Sequence, residues 1–245
     1  AVTAGARPDD LARLQSEDAI ASSVNSAFPV ALFFIDDLDK RNTDPSMRQL
    51  YPGRLVGFYT HEGIRRHVDI PLSPLNAWTC ATIKVFGVYM GDDKIGHFSD
   101  MGMHYYHAYR AALHKGKSEA EARKAALYLG TESPIFSERG LLGLATAGAY
   151  SNADLVANFM GFCFYKNLTE PVRLKGQLRP PMLVRVGPYW QIADFVKPDS
   201  DFFSWYISDH LNEALNPSLY RNDIRPSIRR AVVELRQNVL VRYAD

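Results

Sequence analysis

The chain has 245 residues, 47% of them hydrophobic, and its 28 basic and 27 acidic residues leave a net charge of +1 at neutral pH. This length suits one hydrophobic core, because single cores stop growing near ~250 residues, and we expect a single domain over residues 1–245. The nearly balanced charge excludes a surface field of one sign, so nucleic acid is not an expected partner.

Helical periodicity dominates the pattern along the chain. Gly116 should end the second of the predicted helices, and Ser118 with Glu121 forms a capping box at the start of the third. The predicted helices cover about residues 8–26, 92–115, 118–130, 151–168, 201–215 and 218–243.

Strand signals are confined to two regions. Glycine and proline border β-branched and aromatic residues near 52–75, which predicts a small β-hairpin or a structured loop. The prolines near 180–195 allow only short strands there. The fold class is therefore predicted to be mainly α, a single-domain helical fold with little β structure.

Apolar stretches such as residues 29–35 and 140–150 are the size of core elements, well below the roughly 18 apolar residues that predict a membrane helix. We therefore expect a soluble protein with no integral membrane segment. The sequence begins with alanine and small residues instead of methionine, as signal-peptide cleavage would leave it. A periplasmic or secreted location is the expectation that follows.

Two cysteines, Cys80 and Cys163, fit either a reduced cytosolic protein or one disulfide in an oxidising compartment, and the sequence leaves both open. Cys163 lies in the apolar run NFMGFCFY, where a buried and inert thiol is expected.

The stretch GDDKIGHFSDMGMHYYHAYR, residues 91–110, concentrates polar groups on one predicted helix. Helical spacing places Asp93, His97, Asp100 and His104 on nearly one face. His97, Asp100 and His104 have the spacing of divalent-metal ligands, because residues three and four apart can converge on one ion. Helix capping by Asp93 and half-buried, hydrogen-bonded histidines are the structural alternative.

Two further groups of residues could contribute chemistry. Glu138 is surrounded by apolar residues, and burial there would raise its pKa towards that of a general acid; a surface ion pair is the alternative. Ser151 and Asp154 have the spacing of a helix cap, while Asn158 needs partners if it is buried. His210 and Glu213, one helical turn apart, form a secondary candidate site.

The order of these motifs resembles a known family. The pattern Asp-Lys-x-x-His-Phe, an acidic residue, then Ser-x-x-Asp-Leu-x-x-Asn-x-x-Gly is similar to that of VanZ-like membrane proteins and YfiM-like envelope lipoproteins. The resemblance covers residues 92–161 and implies a bacterial envelope context with a shared polar centre, but no particular reaction. Those relatives are largely embedded in the membrane, whereas these helices carry too many charges to cross one. The matching positions are Asp93, Lys94, His97, Phe98, Glu138, Ser151, Asp154, Leu155, Asn158 and Gly161.

Three functions are consistent with the sequence. The first is a lysozyme-like hydrolase of envelope glycan such as peptidoglycan, with Glu138 as general acid, Asp154 stabilising charge or activating water, and His97 as a third catalytic residue; it needs no metal or other cofactor. The second is a metal-dependent hydrolase or phosphoesterase using His97, Asp100 and His104, completed by Glu138 or His210. The third is a non-enzymatic envelope protein with a buried polar network. Substrate binding in the first function is assigned to Lys94, Asn158, His104 and Tyr105.

Overall fold

The computed structural model describes residues 12–28, 82–91, 93–145, 148–187, 189–213, 215–226 and 229. The predicted hairpin or loop near 52–75 and most of the predicted helix over 218–243 lie outside these residues, as does Cys80. The single domain over residues 1–245 stays a prediction for the same reason.

The described part is mainly helical with small antiparallel sheets, which confirms the predicted fold class at that level. In chain order the elements are α1 (Glu17–Ala27), β1 (Thr82–Val85), β2 (Val88–Gly91), α2 (Asp93–Gly96), a π-helical turn (His97–Met101), α3 (Gly102–His114), α4 (Glu119–Glu132), β3 (Ala149–Tyr150), α5 (Asn152–Asn167), β4 (Val172–Leu174), β5 (Gln177–Arg179), β6 (Leu183–Val186), β7 (Tyr189–Ile192), two 3-10 helices (Phe202–Tyr206 and Asp209–Leu211) and β8 (Leu219–Tyr220). Each sheet of the described part has two strands, paired as β1–β2, β3–β8, β4–β5 and β6–β7.

Local signals position the helices as predicted. The segment α2, π turn and α3 forms one continuous helical stretch, and Gly116 follows it with a φ of 74°, the left-handed conformation that favours glycine. The Ser118 hydroxyl accepts from the Glu121 N–H while the Glu121 carboxylate accepts from the Ser118 N–H, so the capping box is present.

Helix α5 lies at the centre of the core. It packs against the π turn, α3 and the 3-10 helix Asp209–Leu211. Gly161 on α5 meets Gly102 at the start of α3, where an added Cβ on Gly102 would lie 2.6 Å from the Gly161 Cα. The two helices therefore approach backbone to backbone, which brings the polar residues of α5 close to those of α2.

The C-terminal part departs from the helical prediction. An α-helix over 201–215 is wrong, because the chain forms the two 3-10 helices there with an extended residue, Ile207, after the first. Residues 219–220 form a strand that pairs with β3. The short strands predicted near 180–195 are confirmed as the β6–β7 hairpin. This irregular backbone brings residues 207–213 against α5 and β2.

Cys163 is buried on α5, and burial raises the pKa of its thiol to about 12. The thiolate is the reactive form, and at pH 8 it is scarce for such a thiol. In a Cys80→Ser variant, where Cys163 is the last cysteine, we expect reaction with a disulfide reagent at pH 8 to be roughly a thousandfold slower than for free cysteine. Absorbance of the released thiolate measures this rate, and unfolding in guanidinium should restore it. Fast reaction of the native protein would contradict the buried position.

None of the helices within the described ranges is both long and apolar enough to cross a membrane.

Candidate functional site

Lys94 is the centre of a buried charge cluster. Its ammonium Nζ lies 2.9 Å from Asp93 Oδ2, 2.5 Å from Asp154 Oδ1 and 2.8 Å from Glu213 Oε1. The residue is 1% exposed. Burial opposes its charge, but the three carboxylates outweigh burial and raise the pKa of Lys94 well above its usual value. Lys94 is therefore charged and joins α2, α5 and the segment after Leu211.

Lys94 also lines an apolar cavity of about 190 Å³. Phe98, Ala157 and Leu211 are among its lining residues. Lys94 lines this apolar space with its aliphatic stem while its ammonium meets the carboxylates, so water has little access to the ammonium from the side of the cavity.

His97 follows Lys94 by one turn and contacts two residues of α5. Its Nδ1 lies 2.9 Å from Asn158 Oδ1, and its Nε2 lies 3.4 Å from Asp154 Oδ2. Because Asn158 Oδ1 is an acceptor, Nδ1 carries a proton and Nε2 is the nitrogen that faces the carboxylates. Burial opposes the imidazolium, yet the charges of Asp154 and Glu138, with that of Asp93, raise the pKa of His97.

Glu138 and Ser151 form hydrogen bonds at the start of α5, next to Asp154. Glu138 is 1% exposed, and its Oε2 accepts from the Ser151 N–H at 3.1 Å. The Ser151 hydroxyl accepts from the Asp154 N–H and donates to Glu213 Oε1, both at 3.1 Å. The predicted burial of Glu138 is confirmed, as is the Ser151 cap of α5. Glu138 thus acts within the network through Ser151.

Asp93 provides an oxygen that the network leaves uncommitted. Its Oδ2 binds Lys94, whereas its Oδ1 is buried and makes no hydrogen bond within the described part of the chain. One ligand atom from each of Asp93, His97 and Asp154 lies within 4.8 Å of the others. A buried oxygen without a hydrogen bond is costly unless something else satisfies it.

Asp100 and His104 do not join this group of ligand atoms. The π turn adds one residue to the helical turn after His97, which changes the register by one residue, roughly 100° on a helical wheel. His104 is exposed and its ring lies 5.1 Å from that of Phe136. Burial raises the pKa of Asp100, while His104 and His97 oppose that rise.

Tyr105 and Asn158 face each other in the interior. Tyr105 is 1% exposed, and Asn158 Nδ2 donates to its hydroxyl at 3.5 Å. Burial and nearby Glu138 raise the pKa of Tyr105 to about 12, although the bond from Asn158 opposes this. The position of Tyr105 suits holding Asn158, which in turn holds His97.

His210 is exposed, whereas Glu213 is buried in the cluster. The sequence pairs these two residues at helical spacing, but the 3-10 helix Asp209–Leu211 ends between them. Glu213 and Ser151 are therefore members of the site that sequence reasoning placed elsewhere or explained only as a cap. The sequence placed Asp93 on the same face as His97, with helix capping as the alternative, and in the structure Asp93 contacts Lys94 within the cluster.

The cluster reaches solvent through two side chains. That of His97 is 18% exposed and that of Asp93 is 14% exposed, whereas those of Lys94 and Asp154 are at most 3% exposed. A sealed network would have favoured a purely structural role. The accessible edge instead lies at His97 and Asp93, two of the three convergent ligands.

Comparison with protein-family models, with curated proteins and with solved structures finds no match for this chain. The resemblance to the VanZ-like and YfiM-like families stays a prediction. Seven of the ten matching positions take part in the contacts of the cluster: Asp93, Lys94, His97, Glu138, Ser151, Asp154 and Asn158.

Proposed function

We propose that the protein is a hydrolase whose reaction centre is a divalent-cation site formed by Asp93, His97 and Asp154. The observation that carries this proposal is the convergence of one ligand atom from each residue within 4.8 Å. Two carboxylates and an imidazole are suitable donors for first-row ions such as Mn²⁺ and Zn²⁺. When bound, the cation would serve as a Lewis acid and lower the pKa of a water molecule at an open coordination position.

The neighbouring residues orient these donors. Lys94 binds Oδ2 of Asp93 and Oδ1 of Asp154, which holds both carboxylates in place. Asn158 accepts from His97 Nδ1 and so turns Nε2 towards Asp154. Such second partners hold metal-binding histidines in one tautomer and orientation. The field that raises the pKa of His97 also favours a bound cation there.

This proposal gives Glu138 a supporting role. A general acid must reach the group that it protonates, and the Glu138 side chain is buried against Ser151. The lysozyme-like mechanism with Glu138 as acid stays a prediction, as do the envelope-glycan substrate and the periplasmic or secreted location. His97, whose side chain is 18% exposed, is the group of the cluster through which a substrate would reach the site.

Metal binding is the first test. Protein freed of metal with a chelator is titrated with MnCl₂ and ZnCl₂ by calorimetry, and we expect one ion per chain. A bound ion at 100 times its dissociation constant stabilises the folded state by about 2.7 kcal/mol, which a thermal melt detects. Release of reducing ends from purified cell-wall glycan, with and without the ion, then tests hydrolysis.

Variants locate the ion. Asp93→Asn keeps the shape of the side chain but weakens a ligand, and His97→Ala removes one. Each of these variants should have a metal affinity at least tenfold lower than that of the original protein. His104→Ala is the matched control, because His104 is an exposed histidine on the same helical stretch. Unchanged affinity in Asp93→Asn, or no metal binding by the original protein, would overturn the proposal and leave the cluster as a structural network.

A further inference from the structure

Two hairpin turns of the described chain share an unusual feature. Phe86 and Lys175 both have a φ of 48°, and each is followed by a glycine with positive φ. The turns Phe86–Gly87 and Lys175–Gly176 close the β1–β2 and β4–β5 hairpins with two residues each. Turns of this kind favour asparagine, aspartate or glycine at the first position. Neither phenylalanine nor lysine is explained by the turn itself.

Both residues border the same open groove, which has a volume of about 540 Å³. Phe86 is 53% exposed and Lys175 is exposed as well. Trp205, Ser208, Asp209 and His210 also line this groove. A strained backbone that displays side chains towards one surface is typical of a binding site.

The aromatic wall of the groove is held in place. Trp205 packs against Phe195 and Phe202, with ring centroids 5.4 and 6.4 Å away, and the guanidinium of Arg179 lies 4.5 Å from its ring centre. Lys175 Nζ donates to the Ser204 carbonyl at 2.9 Å, which ties the second turn to the same wall. The groove is thus prepared for a ligand before it binds.

The lining chemistry fits a carbohydrate. A sugar ring has an apolar C–H face and a rim of hydroxyls that both donate and accept hydrogen bonds. The exposed ring of Phe86 suits the apolar face, while the carboxylate of Asp209 and the imidazole of His210 suit the hydroxyl rim. Both polar side chains are exposed and so can reach a ligand.

The groove and the charge cluster are built on the same two segments. Strand β2 begins at Val88 in the groove and ends at Gly91, two residues before Asp93. The 3-10 helix Asp209–Leu211 begins in the groove and is followed by Glu213, which binds Lys94. A ligand in the groove therefore lies along the elements that position the cluster.

We propose that this groove binds a glycan chain. Its purpose as a substrate site rests on the proposed hydrolase function, but the binding itself does not. The probes are the soluble tetramers of N-acetylglucosamine and of glucose, titrated into the full chain by calorimetry. We expect at least one of them to bind, with an affinity that is independent of added metal.

Two substitutions distinguish an effect on glycan affinity from an effect on the stability of the fold. Phe86→Asn and Lys175→Asn install a residue that tolerates the left-handed backbone. The melting temperature should stay equal or rise in Phe86→Asn and change little in Lys175→Asn, which also loses the hydrogen bond to the Ser204 carbonyl. Glycan affinity should fall at least tenfold in Phe86→Asn and severalfold in Lys175→Asn. Tyr128→Ala is the control, because Tyr128 is an exposed aromatic on α4, which does not line this groove.

Unchanged affinity in Phe86→Asn and Lys175→Asn, or no binding of either tetramer by the original protein, overturns this inference. Metal affinity is measured on the same proteins and should not change. A protein that binds metal but no glycan retains the proposed metal site and loses only the groove, whereas one that binds glycan but no metal loses the metal site alone.

Discussion

Replacing Lys94 with methionine is expected to lower the free energy of unfolding by about 3–5 kcal/mol. Methionine has a similar length and suits the apolar cavity beside the Lys94 stem, so packing changes little. The loss is electrostatic: Asp93, Asp154 and Glu213 keep their buried or half-buried positions but no longer share an ammonium. Urea denaturation at pH 7 measures the change.

Lys115→Met is the matched control for this substitution. Lys115 is exposed at the end of α3, and its replacement should alter stability by no more than about 0.5 kcal/mol. A loss below about 1 kcal/mol in Lys94→Met would show that the three carboxylates depend on Lys94 much less than these distances indicate. A double variant, Lys94→Met with Glu213→Gln, should recover part of the loss because it also removes one of the carboxylates.

Gly161→Ala is expected to destabilise the protein by about 3 kcal/mol, although alanine is the better helix former. An added Cβ at this position would overlap the Phe98 carbonyl oxygen and lie 2.9 Å from the Gly102 Cα. Both obstacles are backbone atoms, so no side-chain rotation can remove the overlap. The helices must separate instead, which loosens the contact between α5 and the stretch that carries Asp93 and His97.

The direction of the stability change in Gly161→Ala tests this prediction. Propensity alone predicts that glycine to alanine in a helix stabilises by about 1 kcal/mol. Ala111→Gly, at an exposed position of α3, measures that intrinsic difference in this protein. Guanidinium denaturation of both variants then gives the two values. If Gly161→Ala were neutral or stabilising, the close approach of α3 and α5 would be wrong.

Local signals in the sequence were enough for most helices. The glycine after α3, the capping box of α4 and the Ser151 cap of α5 each depend on residues within four positions of one another. The apolar run NFMGFCFY likewise predicted a buried Cys163, and this residue is buried on α5. These features are set by nearby residues, and they were confirmed.

The site is formed by residues far apart in the sequence, and local sequence patterns do not predict such contacts. Glu213 reaches Lys94 across 119 positions of sequence, and the irregular backbone after Ile207 makes this contact possible. The residues 201–215 look helical because their apolar spacing fits a helix, but the chain there follows the packing of α5 and β2. Helical spacing therefore assigned Glu213 to His210 instead of to Lys94.

The π turn has a consequence for how this site could vary among related chains. A substitution between Phe98 and Met101 leaves the count of residues unchanged, so His97 keeps its place beside Asp154. A deletion of one residue there would restore the ordinary helical register and rotate the remainder of the stretch, including His104, relative to His97. The placement of His104 relative to His97 is thus encoded partly in chain length, and insertions or deletions, more than replacements, are the changes that would bring His104 towards the polar centre or away from it.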